Sequence, residues 1–194
     1  MTTLDEIISQ LDSLTAESLS ELARFIDYLR WRQRPAATTG GQPWSFDFVE
    51  HFRQAMVTAD RLPAGMEVRI GEALCNGEAH MALWQHPPIE GSAIVEYQVP
   101  IPEGVTNLRL QFATGIRDGS RLAEGNVVAF RIFVNDWRMW SDTQNSCRWI
   151  EHEVEMPSLP GDVTRVQFST DGLGNHEWAW AVWGEPRLVG EILS

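Results

Sequence analysis

The sequence predicts a mainly β chain, an antiparallel β-sandwich preceded by an N-terminal helical arm. Three observations predict it. Apolar residues recur at helical spacing as far as about residue 33, then at two-residue spacing from residue 44 onward. Turn-forming residues cut the second region into short runs. No helical pattern stands between those runs, as a parallel sheet would require. With 194 residues, 43% of them hydrophobic, the chain can build one core and still carry an appendage.

The arm comes first. Leu4, Ile7, Ile8 and Leu11 fall at i, i+3, i+4 and i+7. Thr3 and Glu6 have capping-box spacing, in which the hydroxyl takes an orphan amide and the carboxylate returns the bond. A break near Ser13–Thr15 precedes a second helix, opened by Thr15 and Glu17. Its stripe is Leu19, Leu22, Ile26 and Leu29, with Phe25 alongside. About thirty residues cannot bury such a stripe alone. It must pack on the sandwich or on a second copy, and the 3-4-3 spacing favours a helix–helix seam and hence a homo-oligomer. Through Phe25, Ile26 and Leu29 the arm also resembles a small bacterial helical domain of unknown function. The arm spans 1–34. Residues 35–43, Pro-Ala-Ala-Thr-Thr-Gly-Gly-Gln-Pro, read as a linker because small residues, prolines and a glycine pair sustain neither helix nor strand. The sandwich domain spans 44–194.

Trp44, Phe46 and Phe48 alternate and open the sandwich. Glu50–Thr58 fits either a helix or an irregular excursion. Clear alternation follows in Met66, Val68 and Ile70, then in Ala93, Val95, Tyr97 and Val99, then in Leu108, Leu110 and Phe112. Val128, Phe130, Ile132 and Val134 share a face, as do Ile150, His152, Val154 and Met156, and then Val166 and Phe168. A last strand covers roughly 178–189. Turns are signalled at Asn76-Gly77, His86-Pro87-Pro88, Pro102-Glu103-Gly104, Pro160-Gly161-Asp162 and Asp171-Gly172. Short strands at this spacing build a sandwich or barrel.

A net charge of -12 repels phosphate backbones and anionic membrane surfaces, so neither nucleic acid nor membrane is an expected partner. All 15 basic residues are arginine, which removes Schiff-base and P-loop lysine chemistry. Two cysteines, Cys75 and Cys147, are too few for a Cys-rich zinc site and read as free thiols or as one bridge. The first residues carry no basic region ahead of an apolar run, and no stretch approaches eighteen apolar residues. The expected location is cytoplasmic.

Ala82-Leu83-Trp84-Gln85-His86-Pro87-Pro88, followed by an alternating strand and Val99-Pro100-Ile101-Pro102, resembles the start of a bacterial jelly-roll family. Phe130 through Asp136 resembles its central strand. Asp171–Asn175 with Trp180-Ala-Val-Trp183-Gly-Glu-Pro-Arg187 resembles its closing strand. The family is the galactose-binding-like superfamily, including the carbohydrate-binding modules appended to glycosidases, and the resemblance covers roughly 80–189. It implies a jelly roll of about eight strands, a ligand site on loops at one end, and room for a structural calcium. Two departures bear on the calcium. Glu124-Gly125-Asn126 stands where relatives often carry Asp-Gly, and where an acid often precedes the closing Trp-Ala stands Ala179, or else Glu177 if the register shifts to Trp178.

Nine tryptophans offer rings for stacking on the apolar face of a pyranose. Trp137, Arg138 and Trp140, beside Asn135 and Asp136 and followed by Trp149, form the best aromatic group expected on a loop. Trp178 and Trp180 share one side of the last strand. The alternative is that most of these rings are core, since nine exposed tryptophans would promote aggregation. Asp171, Asn175 and Glu177 form an oxygen-rich loop of the ligand type calcium takes, or else a plain turn. Glu151, Glu153 and Glu155 could gather a cation, but read rather as a solvated face, paired with Arg131. His152 reads as a hydrogen-bonded core histidine. Gly172-Leu173-Gly174 is a turn, because no helix follows it.

No catalytic constellation stands out, so the expected role is a non-enzymatic binding module, for saccharide or for a protein partner. The alternative is a self-assembling scaffold driven by the arm. A hydrolase has the least support.

Overall fold

The computed structural model describes Thr15 and residues 41–59, 67–157 and 163–192. The helical arm, its self-association, the linker up to residue 40, Met66 and the Pro160-Gly161-Asp162 turn lie outside the described residues. All the strands below lie in the unit Thr39–Ser194.

Eleven strands are described: β1 Gln42–Asp47, β2 Met56–Ala59, β3 Val68–Cys75, β4 Glu78–Gln85, β5 Ser92–Pro100, β6 Val105–Ile116, β7 Val128–Val134, β8 Trp137–Gln144, β9 Ile150–Glu155, β10 Val163–Asp171 and β11 Ala181–Ile192. A single 3-10 turn, Phe52–Gln54, joins β1 to β2. One sheet runs β3-β4-β11-β6-β9, and the other runs β2-β5-β10-β7-β8. Every pairing is antiparallel. The long β11 serves two partners on one edge. β4 pairs with its start, Val182–Gly184, and β1 pairs with its remainder, Arg187–Ile192. Among the described residues there is no α-helix.

The alternation of the sequence is the alternation of the sheets. Ala93, Val95, Tyr97 and Val99 of β5 are buried, and so are Val128, Phe130, Ile132 and Val134 of β7, because each faces the opposite sheet. Two segments differ from expectation. Glu50–Thr58 is neither a helix nor irregular throughout; the 3-10 turn gives way to edge strand β2, paired with β5. β4 is buried without alternation from Ala82 to Gln85. Leu83 and Gln85 face the main core, while Ala82 and Trp84 join Ala73, Cys75 and Val182 in a second small cluster on the outer side of the sheet. Trp149 covers that cluster. Its ring lies over Gly115 and Gly184, where an added Cβ would stand 2.9 and 3.0 Å from the indole. Two glycines on neighbouring strands thus let the ring lie flat against backbone.

Both cysteines are free thiols, and burial pushes the Cys75 thiol up to about 12, so it stays protonated. Trp183 sits fully buried at the centre of the main core, 5.1 Å from the rings of both Phe130 and Phe168.

Candidate functional site

The loops leaving β4, β6 and β10 converge at one end of the sandwich, and each brings an aromatic or cationic side chain. His86 follows β4, Arg117 and Arg121 follow β6, and Trp178 and Trp180 precede β11. Their convergence follows from the register, which sets Ala181 against Ile116 and Val182 against Trp84. Backbone bonds close the loops on one another: Arg117 N–H donates to the Trp180 carbonyl at 3.0 Å, and the Ser120 hydroxyl donates to the Trp178 carbonyl.

The side chains form a ladder of rings and guanidinium groups. The guanidinium carbons of Arg69 and Arg117 each lie 3.3 Å from the Trp84 ring centre. Two groups that close fit only on opposite faces, so Trp84 is sandwiched between cations. Arg117 continues to Trp180 at 5.4 Å. Trp180 meets Trp178 at 5.3 Å, and Arg121 stands 5.6 Å from the Trp178 ring. His86 stacks beside both Trp84 and Trp180. Trp84 is only 5% exposed, whereas Trp178 is 42% exposed, so the ladder runs from core to solvent.

Trp178 adopts φ +60°. A bulky residue in the left-handed region costs about 1–3 kcal/mol and persists only where its surroundings over-determine it. Here the Trp178 carbonyl accepts from both Ser120 and the Trp180 amide, and Ala179 N–H bonds to the His176 carbonyl. The loop holds an exposed indole outward at a conformational cost.

Unpartnered polar atoms mark the same place. Nε2 of His86 and Nε of Arg117 are buried without a hydrogen-bond partner. Burial lowers the His86 imidazole from its ordinary 6.5 to about 4, against the opposing pull of Glu67 and with help from Arg117 and Arg69.

Among solved structures, the CBM51-2 and INT domains of Clostridium perfringens ZmpB, in complex with GlcNAc, match over 76% of this chain and 32% of that chain, at 13% identity and a TM-score of 0.50. What the chain shares with that structure is the fold, a jelly roll of two antiparallel sheets. A CBM51 from Clostridium perfringens GH95, in complex with methyl-galactose, matches over 75% of this chain and 99% of its own at 11% identity and a TM-score of 0.49. The CBM22-1 xylan-binding domain of Paenibacillus barcinonensis Xyn10C matches over 81% and 100% at 13% identity and a TM-score of 0.47. This chain thus spans about a third of the ZmpB chain that it matches. No protein-family model and no curated protein matches the sequence.

The jelly roll separates the residues that the sequence grouped. Trp137, Arg138 and Trp140 lie on strand β8 rather than on a loop. Asn135 and Asp136 form a two-residue hairpin turn with φ +47° and +71° that joins β7 directly to β8. That turn bonds to Arg165 near the start of β10, whereas Trp178 follows the far end of β10. Trp137 and Arg138 therefore stand at the opposite end of the sandwich from Trp178. Trp140 turns inward against Phe112 and His152, at 4.9 and 4.6 Å. Trp149 donates its indole N–H to the Glu78 carbonyl at 3.0 Å. The last strand begins at Ala181, so Trp178 and Trp180 touch across a loop and not along a strand. Of the five residues named for ligand binding, Trp178 is the one in the ladder.

The oxygen-rich loop closes on itself. Asp171 Oδ1 accepts from Leu173 N–H at 2.8 Å, and Oδ2 takes the Arg131 guanidinium at 3.1 Å. Asn175 Oδ1 accepts from Glu177 N–H at 2.9 Å. A cation at Asp171 would have to compete with Arg131 for the same carboxylate. Among the described residues, no cluster of three or more His, Cys, Asp or Glu side chains is arranged to hold a metal ion. Arg131 is thus committed to Asp171, and Glu153 pairs instead with Arg109 and Gln111. His152 is half-buried rather than core, and its ring meets the Thr114 hydroxyl at 3.0 Å.

An open groove of about 430 Å³ lies at the other end, between β1 and the end of β5, walled by Trp44, Phe46, His51, Pro100 and Pro102. Its histidine is already engaged, since the His51 ring is bonded to the Asp47 carbonyl at 2.7 Å. The ladder is the better candidate because it joins an exposed ring to unpaired donors.

The buried neutral His86 has a measurable consequence. Folding lowers its pKa, so the unfolded chain binds the proton first as pH falls. Stability should therefore drop between about pH 6.5 and about pH 4 and level off for this group below that. Urea unfolding across the window, on wild type and His86→Gln, checks this; the variant should lose less stability on acidification.

Proposed function

We propose that the jelly roll is a non-catalytic saccharide-binding module whose ligand rests on the loop end around Trp178. The observation that carries the reading is the exposed Trp178 indole, held at positive φ and flanked by Trp180 and the Arg121 guanidinium, with Arg117 against Trp180. An indole face takes the apolar face of a pyranose, and fork-shaped donors at its edge take hydroxyl oxygens. The shared fold supports the reading, since the ZmpB structure pairs this architecture with GlcNAc. Such a site is a platform, in which the protein moves little on binding.

The expected effect of Trp178→Ala follows from area. Covering about 80 Å² of ring and sugar at about 25 cal/mol per Å² gives about 2 kcal/mol, or roughly thirtyfold in Kd. Calorimetric titration with mono- and oligosaccharides of glucose, GlcNAc, galactose, xylose, mannose and uronic acids checks it. Wild type should bind at least one class, and Trp178→Ala should weaken that binding by this factor. Failure of the whole panel to bind, or a Trp178→Ala protein that binds unchanged, would remove the proposal.

A further inference from the structure

The ladder carries more positive charge than a platform for a neutral sugar needs. Arg69, Arg117 and Arg121 meet there in a chain whose net charge is -12. Among the described residues, the one carboxylate ion-paired with any of the three is Glu67, which bonds Arg69. Glu67 also approaches His86, at 4.0 Å, and acts on Arg117. The neighbouring Asp118 is committed elsewhere: its two carboxylate oxygens accept the backbone N–H groups of Asn76 at 2.7 Å and Gly77 at 2.8 Å. Arg121 is exposed beside the Trp178 ring, and among the described residues no carboxylate is ion-paired with it. Nε of Arg117 is buried without a partner. A guanidinium drawn out of water with an unmet donor is costly, and an anion of matching shape relieves that cost.

We infer that the Trp178 platform selects an acidic saccharide, one whose pyranose ring bears a carboxylate, as in a uronic acid. This rests on the saccharide reading above and narrows it. The ring's apolar face lies on Trp178, and the planar carboxylate at its edge takes the Arg121 fork, with Arg117 behind it. Planarity is what separates this from a generic attraction to anions, because a guanidinium bonds a carboxylate through two parallel N–H groups. The wider negative field of the protein opposes anionic ligands at long range, so the preference is a short-range one, made at contact.

The test uses the full chain and three ligand sets: oligomers of galacturonic and of glucuronic acid, the same oligomers as methyl esters, and neutral oligosaccharides of galactose and glucose. The ester keeps the shape and removes the charge. One of the two acids should bind about tenfold or more tighter than its ester, the yield of one charge-assisted hydrogen-bond pair. Raising salt from about 0.1 M to about 1 M should shrink that gap. Arg121→Gln should close it, with the circular dichroism of the variant matching wild type. If esters or neutral oligomers bind as tightly as both acids, this inference fails while the saccharide proposal stands. If no saccharide of any kind binds, both fail.

Discussion

Truncating Trp183 to alanine is expected to cost about 4 kcal/mol, a large share of the stability of any domain of this size. The residue has no exposed surface, and four rings surround it: Phe130 and Phe168 at 5.1 Å, Phe112 at 5.6 Å and Trp140 at 6.1 Å. Those rings come from β7, β10, β6 and β8, so both sheets lean on one indole. Strands held in hydrogen-bonded sheets cannot collapse into the vacated volume, and the cavity term adds to the lost transfer energy. The urea midpoint should fall with little change in slope. A loss below about 1 kcal/mol would mean that the core is not organised around this ring.

Replacing Gln85 with leucine is expected to cost nearly as much, although leucine is the more apolar residue. Gln85 is fully buried, and its amide serves three elements. Its Nε2 donates at 2.8 Å to both the Ala93 and the Phe168 carbonyls, and its Oε1 accepts the Trp183 indole N–H at 3.0 Å. Its own carbonyl accepts the Thr170 hydroxyl at 2.6 Å. The network is satisfied on every side, so the glutamine ties β4, β5, β10 and β11 together inside the sandwich. Leucine would strand the indole N–H and weaken two carbonyl pairings, at about 1–3 kcal/mol for a buried unmet group. The sum is about 3–4 kcal/mol, measured by the same unfolding experiment. Gln85→Leu proteins as stable as wild type would show that water replaces the amide.

These two residues also mark how far the fold was legible. The β-sandwich could be read from β5, β7 and β10, because one face of each is buried and period two survives. β4 resisted the same reading. Trp84 and Ala82 look like the outward face of an edge strand, but Trp149 and the Gly115–Gly184 pair build a second cluster there, so four consecutive residues are buried. Nothing local announces that. The Asn135-Asp136 hairpin was missed because both turn residues take positive φ without a glycine. That miss placed Trp137 and Trp140 on an imagined loop.

The candidate site was legible only in its exposed tip. Trp178 draws attention as one of a tryptophan pair. Its supports, Trp84, His86, Arg117 and Arg121, come from the ends of β4 and β6, and register alone brings them together. The one local hint was a turn flanked by arginines, Arg117-Asp118-Gly119-Ser120-Arg121. Charge-poor runs beside it in the sequence gave no reason to weigh that turn above others.

The indole N–H resonances of the tryptophans, followed by nitrogen–proton correlation during titration with the acidic oligosaccharides and their esters, test the account most directly. Saturable shifts at Trp178 and Trp180, with Trp183 and Trp140 unmoved, are the predicted result. Saturable binding that moves Trp44 or Trp137 and leaves Trp178 where it was would put the ligand at the other end of the sandwich and contradict it.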